Sequence, residues 1–148
     1  MTTLVHATCV ALKTSGRTWK AVLLRGPSGA GKSDLAARLI ETGARLVADD
    51  QTRLARQGRR LVATCPRTLA GLLEVRGVGI VKLGRTQLLP SAAVALLVDL
   101  VSPRHIERLP EPAREAMLGI DLPVLALAPF EASASAKLRL ALTRIATA

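Results

Sequence analysis

The chain has 148 residues, 49% of them hydrophobic, which predicts one folded domain over residues 1–148 and excludes a disordered protein. Its apolar stretches are shorter than a membrane span and its N-terminus lacks a signal-peptide pattern, so we expect a cytoplasmic protein that does not associate with a membrane. The net charge of +10 would suit a polyanion, but with one Trp, one Phe and no Tyr for base stacking we do not expect nucleic acid as a partner.

Hydrophobic periodicity and turn residues predict strands and helices along the whole chain. In chain order we expect strands at 4–12 and 19–24 around a turn at 13–17, a glycine-rich loop at 26–31, a helix at 33–42, a strand at 44–48, a hairpin of strands at 52–55 and 60–63, strands at 72–75, 79–83 and 94–101, a short helix at 112–117, a strand at 124–128 and a closing helix at 134–146. The strand, glycine-rich loop and helix between residues 19 and 42 predict an α/β fold.

The strongest motif lies between that strand and that helix. It consists of Gly26, Pro27, Ser28, Gly29, Ala30, Gly31, Lys32 and Ser33, which fit the P-loop pattern GxxxxGK[ST] at every position. The glycines let backbone N–H groups converge on phosphate oxygens, Lys32 reaches the β- and γ-phosphates, and Ser33 can ligate Mg²⁺. The motif predicts a binding site for a nucleoside triphosphate.

Two apolar strands end in carboxylates that could assist phosphoryl transfer. Asp49 and Asp50 follow the strand at 44–48, and Asp99 follows the apolar run at 95–98. An acid at such a position can hold the metal or accept a proton. The pattern alone does not choose between the two strands.

A third block places Glu74 and Arg76 two residues apart, before the Gly-x-Gly of residues 77–79. Residues two apart lie on one face of a strand. A structural ion pair beside a bulge would account for this block as well as a functional site would.

Together, these blocks resemble the catalytic domain of the HPr kinase/phosphorylase family. The P-loop, the Gly-Ala-Arg-Leu-Val-Ala-Asp-Asp segment at 43–50 and the Leu-Glu-Val-Arg-Gly-Val-Gly-Ile segment at 73–80 occur in that family's order. The resemblance implies a P-loop kinase domain with a mixed β-sheet and flanking helices. It also implies ATP and Mg²⁺ as cofactors, and a homo-oligomer, which in this family is a hexamer.

The activity implied by the resemblance is phosphorylation of a serine of the phosphocarrier protein HPr, which regulates a phosphotransferase system. A weaker phosphorolytic removal of that phosphate is the second implied activity. By the same resemblance Asp49 is the acid/base residue, Asp50 and Glu74 join Ser33 at the metal site, and His6 is an active-site histidine, if a hairpin insertion before the P-loop is allowed.

One departure from the family pattern concerns arginines near the C-terminus. Where the family has a Pro-Val-Arg-Pro-Gly-Arg-Asn-like stretch, residues 123–131 read Pro-Val-Leu-Ala-Leu-Ala-Pro-Phe-Glu. Arg76 remains as a candidate catalytic arginine, and we expect phosphorolysis to be weak. Two alternatives stay open: a P-loop kinase of small molecules, and a nucleotide-binding regulator with weakened catalysis.

Overall fold

The computed structural model describes residues 1–14 and 17–147. These residues form eleven strands and two α-helices, joined by loops that contain three short 3-10 turns. The elements are β1 (Thr2–Val5), β2 (Ala7–Lys13), β3 (Trp19–Arg25), α1 (Lys32–Glu41), β4 (Arg45–Ala48), β5 (Thr52–Gln57), β6 (Arg60–Thr64), β7 (Leu72–Val75), β8 (Gly79–Lys82), β9 (Ser91–Leu100), β10 (Ala113–Met117), β11 (Ile120–Leu127) and α2 (Ala134–Thr147). The predicted turn at 13–17 includes Ser15 and Gly16, which lie outside the described residues.

Nine of the described strands form one mixed sheet, and β7 and β8 form a separate hairpin. The order across the sheet is β1-β5-β6-β9-β3-β2-β4, with β11 pairing to both β9 and β10. Strands β3, β9 and β11 are parallel to one another, and the remaining pairs are antiparallel. The predicted mixed sheet is confirmed.

The topology brings four chain segments to one edge of the sheet. Strand β2 is antiparallel to both β3 and β4, so β4 runs in the same direction as β3. The residues that follow β3, β4, β9 and β11 therefore all leave the sheet at the same edge. Ligands of α/β proteins bind at this edge, outside the carboxyl ends of the strands.

Apolar side chains pack on both faces of the central strands. Alternate residues of a strand point to opposite faces, and both sets are buried in β3. On one face of the sheet lies a core that combines strand residues with residues of the two helices: Val22 and Leu24 from β3, Leu35 and Leu39 from α1, and Leu138 and Leu142 from α2. On the other face lies a second core that combines Ala21 and Leu23 of β3 with Leu54 and Leu61 of the β5–β6 hairpin and Leu122 of β11. Burial on both faces explains why β2 and β3 are nearly continuous apolar runs.

The prediction of a short helix at 112–117 is wrong, because residues 113–117 form strand β10. Ala113–Met117 pairs antiparallel with the first residues of β11. Strands β10 and β11 are connected by Leu118 and Gly119, which have φ angles of 49° and 80°. Positive φ angles at both residues are typical of a tight two-residue hairpin turn. Pairing with β11 outweighs the helix propensity of this segment.

The predicted strand at 4–12 is two strands, β1 and β2, which separate at His6. Strand β1 pairs with β5, whereas β2 pairs with β3 and β4. The chain therefore passes from one part of the sheet to another at this histidine.

Among the described residues, neither helix has the length and apolar character needed to cross a bilayer.

Candidate active site

The P-loop connects the end of β3 to the first turn of α1 and folds tightly on itself. A Cβ atom at Gly26 would lie 2.8 Å from the Cβ of Ala30, so a larger residue at position 26 would clash. Gly31 is the N-cap residue of α1 and has a φ of 102°, a backbone conformation that side chains with a Cβ rarely adopt. The first N–H groups of α1 and its dipole face the loop, and together they make a binding site for phosphate.

Lys32 is buried under the loop, with 6% of its surface exposed. Its Nζ donates hydrogen bonds to the carbonyl oxygens of Gly26, at 2.5 Å, and Pro27, at 3.1 Å. The ammonium group is thus held inside the loop that would surround the phosphates.

Asp49 follows β4 and its carboxylate is held by three donors. Its Oδ1 accepts hydrogen bonds from Ser33 Oγ, at 2.7 Å, and from Thr8 Oγ1, at 2.9 Å. Its Oδ2 accepts one from the backbone N–H of Glu74, at 3.1 Å. The side chain is 8% exposed, so these bonds determine its orientation. They join the P-loop, β2, β4 and β7 at one carboxylate.

Thr8 is a site residue that the sequence analysis missed. It is fully buried in β2, donates to Asp49, and accepts a hydrogen bond from the Asp50 N–H at 3.1 Å. The available signal was weak: Thr8 is the one hydroxyl residue of β2, a strand that is otherwise apolar up to Lys13. A buried hydroxyl requires hydrogen-bond partners, but the sequence does not show where those partners lie.

Asp50 has a strained backbone and a carboxylate that faces His6. Its φ is 64°, and the N–H of Gln51 donates to the carbonyl oxygen of Asp49 at 2.7 Å, which closes a three-residue turn. The carboxylate oxygen Oδ1 lies 2.6 Å from His6 Nε2. Non-glycine residues with positive φ occur often at functional sites, where surrounding contacts hold them in place.

The β7–β8 hairpin covers the P-loop and carries Glu74 and Arg76. Arg76 lies in the turn that follows β7, so the expectation that it shares a strand face with Glu74 is wrong. Its Nη2 is 3.8 Å from the position that a Cβ of Gly29 would occupy. The guanidinium therefore lies beside the glycine-rich loop.

One cleft brings most of the predicted site residues together. Its walls include Ser28, Gly29, Gly31, Lys32, Ser33, Asp50, Glu74, Arg76 and Phe130. Within residues 1–14 and 17–147, no group of three or more His, Cys, Asp or Glu side chains could hold a metal ion. Ser33, Asp50 and Glu74 offer only oxygen atoms, however, and Mg²⁺ at such sites takes one or two carboxylates, phosphate oxygens and water. The donor set fits Mg²⁺ bound together with a nucleotide.

Asp99 lies in a different environment and does not line this cleft. Arg25, its neighbour on β3, donates to Asp99 Oδ1 at 2.8 Å and also to Glu115 Oε2 at 2.7 Å. The hydrogen bond from Arg25 holds the pKa of Glu115 below its usual value. Asp99 thus belongs to an ion cluster that ties β10 to the centre of the sheet, whereas Asp49 contacts the P-loop.

These features define a class of protein: an α/β domain with a P-loop at the edge of a mixed sheet and a buried aspartate bonded to the P-loop serine. The chain belongs to the family described as HPr Serine kinase C-terminal domain, whose family model matches residues 1–138.

Individual proteins that are similar to this chain carry names of the same family. The chain is 34% identical over 135 residues to the HPr kinase/phosphorylase of Geobacillus thermodenitrificans, covering 85% of this chain and 42% of that protein. It is 42% identical over 109 residues to that of Leptothrix cholodnii, covering 67% and 34%. The solved HPr(Ser) kinase/phosphatase from Coxiella burnetii superposes with a TM-score of 0.77 at 25% identity, covering 98% of this chain and 94% of the other.

The chain spans less than half the length of these two curated relatives. The predicted family and the predicted P-loop α/β fold with a mixed sheet are both confirmed.

Proposed function

We propose that this domain transfers the γ-phosphoryl group of ATP to a serine hydroxyl of HPr. The observation that carries the proposal is the buried Asp49 carboxylate, which accepts a hydrogen bond from Ser33 of the P-loop. A phosphate-binding loop and a fixed carboxylate in direct contact are what transfer to a hydroxyl requires. The family and its named relatives support HPr as the protein substrate.

In the proposed reaction, the seryl oxygen of HPr attacks the γ-phosphorus, the bond from that phosphorus to the bridging oxygen breaks, and ADP leaves. Asp49 accepts the proton of the serine hydroxyl as the general base. Lys32 balances charge on the β- and γ-phosphates, and Arg76 stabilises the transferring group from the side of the β7–β8 hairpin.

Ser33, Asp50 and Glu74 would hold Mg²⁺, which neutralises phosphate charge when bound. The contact between His6 and Asp50 supports a role for His6 in orienting this carboxylate. We also propose that the domain extends over residues 1–148, acts in the cytoplasm, where ATP is available, and assembles as a homo-oligomer, a hexamer by family resemblance. Light scattering of the purified chain measures the assembly state.

Phosphate transfer from labelled ATP to purified HPr tests the proposed activity. The matched control is HPr with its regulatory serine replaced by alanine. We expect label on the wild-type carrier and none on the control. Label on the control to the same extent, or transfer only to small molecules, would contradict the proposal.

A second candidate function is nucleotide-dependent regulation without catalysis. The observation in its favour is that the segment at 123–131 has no arginine, so cations that the family uses near the reacting phosphate are absent from this stretch. ATP binding without transfer to HPr would favour this candidate.

The missing arginines also lead us to propose weak phosphorolysis. In that reaction two anions, inorganic phosphate and the phosphoseryl group, must approach each other, and cations are needed to offset their repulsion. Incubating phosphoseryl HPr with millimolar phosphate should yield pyrophosphate slowly relative to the kinase rate, and fast formation would contradict this expectation.

A further inference from the structure

Phe130 is a large aromatic side chain that the fold leaves exposed beside the P-loop. It is the single Phe of the chain, and 70% of its surface is accessible. Burial of a Phe ring stabilises a protein by about 1.5–3 kcal/mol, and the core of this protein does not use that contribution. The ring instead forms part of the wall of the cleft that contains Lys32 and Ser33.

The ring contacts the last glycine of the P-loop directly. A Cβ atom built on Gly31 would lie 2.9 Å from Phe130 Cζ and 3.1 Å from Cε1. Gly31 precedes the first turn of α1, whose N–H groups face the phosphate site. An aromatic surface and a phosphate site are therefore immediate neighbours.

The segment that carries the ring is fixed by hydrogen bonds. The Arg38 guanidinium of α1 donates to the carbonyl oxygen of Pro129. The Glu131 N–H donates to the Ala128 carbonyl oxygen, at 3.4 Å, and the Ala134 N–H donates to that of Glu131, at 3.1 Å. The exposed ring is thus presented by an ordered connection between β11 and α2, which lowers the entropic cost of binding a ligand.

Sheet order indicates which part of a nucleotide would meet this ring. Across the sheet the P-loop follows β3, Asp49 follows β4 two strands to one side, and Phe130 follows β11 two strands to the other. The γ-phosphate must lie toward Asp49, because the hydroxyl that attacks it transfers its proton there. The nucleoside end of the triphosphate then extends away from Asp49, toward Phe130.

We propose that Phe130 is the stacking surface for the nucleobase of the bound triphosphate. This assignment rests on the proposed function, because it requires that the P-loop binds a nucleoside triphosphate. Stacking of a base on an aromatic side chain contributes about 1–3 kcal/mol, and every base has a face that can stack. The ring therefore contributes affinity for the nucleoside and leaves the phosphate contacts to the loop.

The test compares ATP with inorganic tripolyphosphate, which has the phosphates and no base, by calorimetric titration in the presence of Mg²⁺. We expect F130A to weaken ATP binding about 5- to 100-fold and to change tripolyphosphate binding less than twofold. F130W should retain ATP affinity. The matched control is L140A, which removes an equally exposed apolar side chain, 70% accessible, from α2.

Equal losses of ATP and tripolyphosphate affinity in F130A would overturn the assignment, because the ring would then only support the P-loop. Unchanged ATP affinity in F130A would overturn it too. If wild-type protein binds ATP and F130A shows the selective loss, but HPr is not phosphorylated, the proposed function fails and the stacking assignment stands. If wild-type protein binds neither ligand, both fail.

Discussion

Ser33 and Asp49 are joined by a 2.7 Å hydrogen bond from the serine hydroxyl to the aspartate Oδ1. The serine lies in the first turn of α1 and the aspartate directly follows β4, so the bond ties the phosphate-binding loop to the end of a strand two positions away from β3 in the sheet. A carboxylate in this position is near any phosphate that the loop binds.

The first prediction concerns the two candidate aspartates. Asp49→Asn keeps the size of the side chain but removes its charge, so transfer to HPr should fall about 100-fold or more, as for loss of a general base. Asp99→Asn weakens an ion pair with Arg25 and should leave turnover within about threefold. Turnover per folded molecule, with folding measured by circular dichroism, checks both variants.

The opposite order of effects, with Asp99 essential and Asp49 dispensable, would falsify the assignment of the base. ATP affinity serves as the internal control for Asp49→Asn. It should change much less than the transfer rate, because the Lys32 and backbone contacts to phosphate are retained.

The second prediction concerns Lys32. Lys32→Ala should abolish detectable transfer and weaken ATP binding, because it removes the cation that faces the β- and γ-phosphates while the backbone of the loop remains. Titration with ATP and transfer assays measure both effects. Lys13→Ala removes an exposed lysine that packs over Trp19 and should change neither. Normal transfer by Lys32→Ala would exclude the P-loop from the mechanism.

The third prediction concerns Thr8 as a positioning residue. Thr8→Val keeps the shape but removes the hydroxyl, which leaves the Asp50 N–H without its acceptor and Asp49 with one donor fewer. Stability should fall by about 1–3 kcal/mol, and kcat should fall more than KM for ATP changes. Thr8→Ser, which retains the hydroxyl, should restore most of the activity.

Thr52→Val is the matched control for Thr8→Val. Thr52 is equally buried and donates to the carbonyl oxygen of Ala7 at 2.9 Å, so its replacement also removes a buried hydroxyl. We expect it to lower stability and to leave kcat per folded molecule close to wild type. If the two variants have the same effect on kcat, Thr8 has only a structural role.

The fourth prediction concerns acid stability through Glu115. Arg25 holds the pKa of this carboxyl below its usual value by a hydrogen bond, so the folded state binds its proton less readily than the unfolded state. The ion pair therefore stabilises the fold above the unfolded pKa of about 4.3, and this contribution disappears as the pH falls through the folded pKa.

Urea denaturation of wild type and Glu115→Gln at two pH values measures this contribution. At pH 7 the wild type should be more stable, by about 1 kcal/mol or less because the pair is partly exposed. Near pH 3 the difference between the two variants should be smaller than at pH 7. Glu111→Gln, which removes a carboxylate at an exposed position before β10, is the control for the loss of one negative charge. A difference for Glu115→Gln that is as large at pH 3 as at pH 7 would contradict this account.

Local sequence patterns were sufficient to predict the P-loop, helix α1 and the buried strands. The loop is specified by Gly26, Gly31, Lys32 and Ser33, because backbone geometry or phosphate contact within a few residues calls for these residue types. The apolar runs in β2 and β3 follow from burial on both faces. The loop depends on neighbours in sequence, and the apolar runs can be read directly from the residues, so the sequence alone predicts both.

Contacts between distant segments could only be decided by the tertiary structure. Asp49 and Asp99 end similar apolar strands, and only strand order and the position of Arg25 give one the P-loop serine and the other an arginine. Thr8 reaches Asp49 because β2 lies beside β4. Residues 113–117 form a strand because β11 is available to pair with them. For the two aspartates and Thr8 the deciding partner lies at least 16 residues away in sequence, and its position depends on how the whole chain packs.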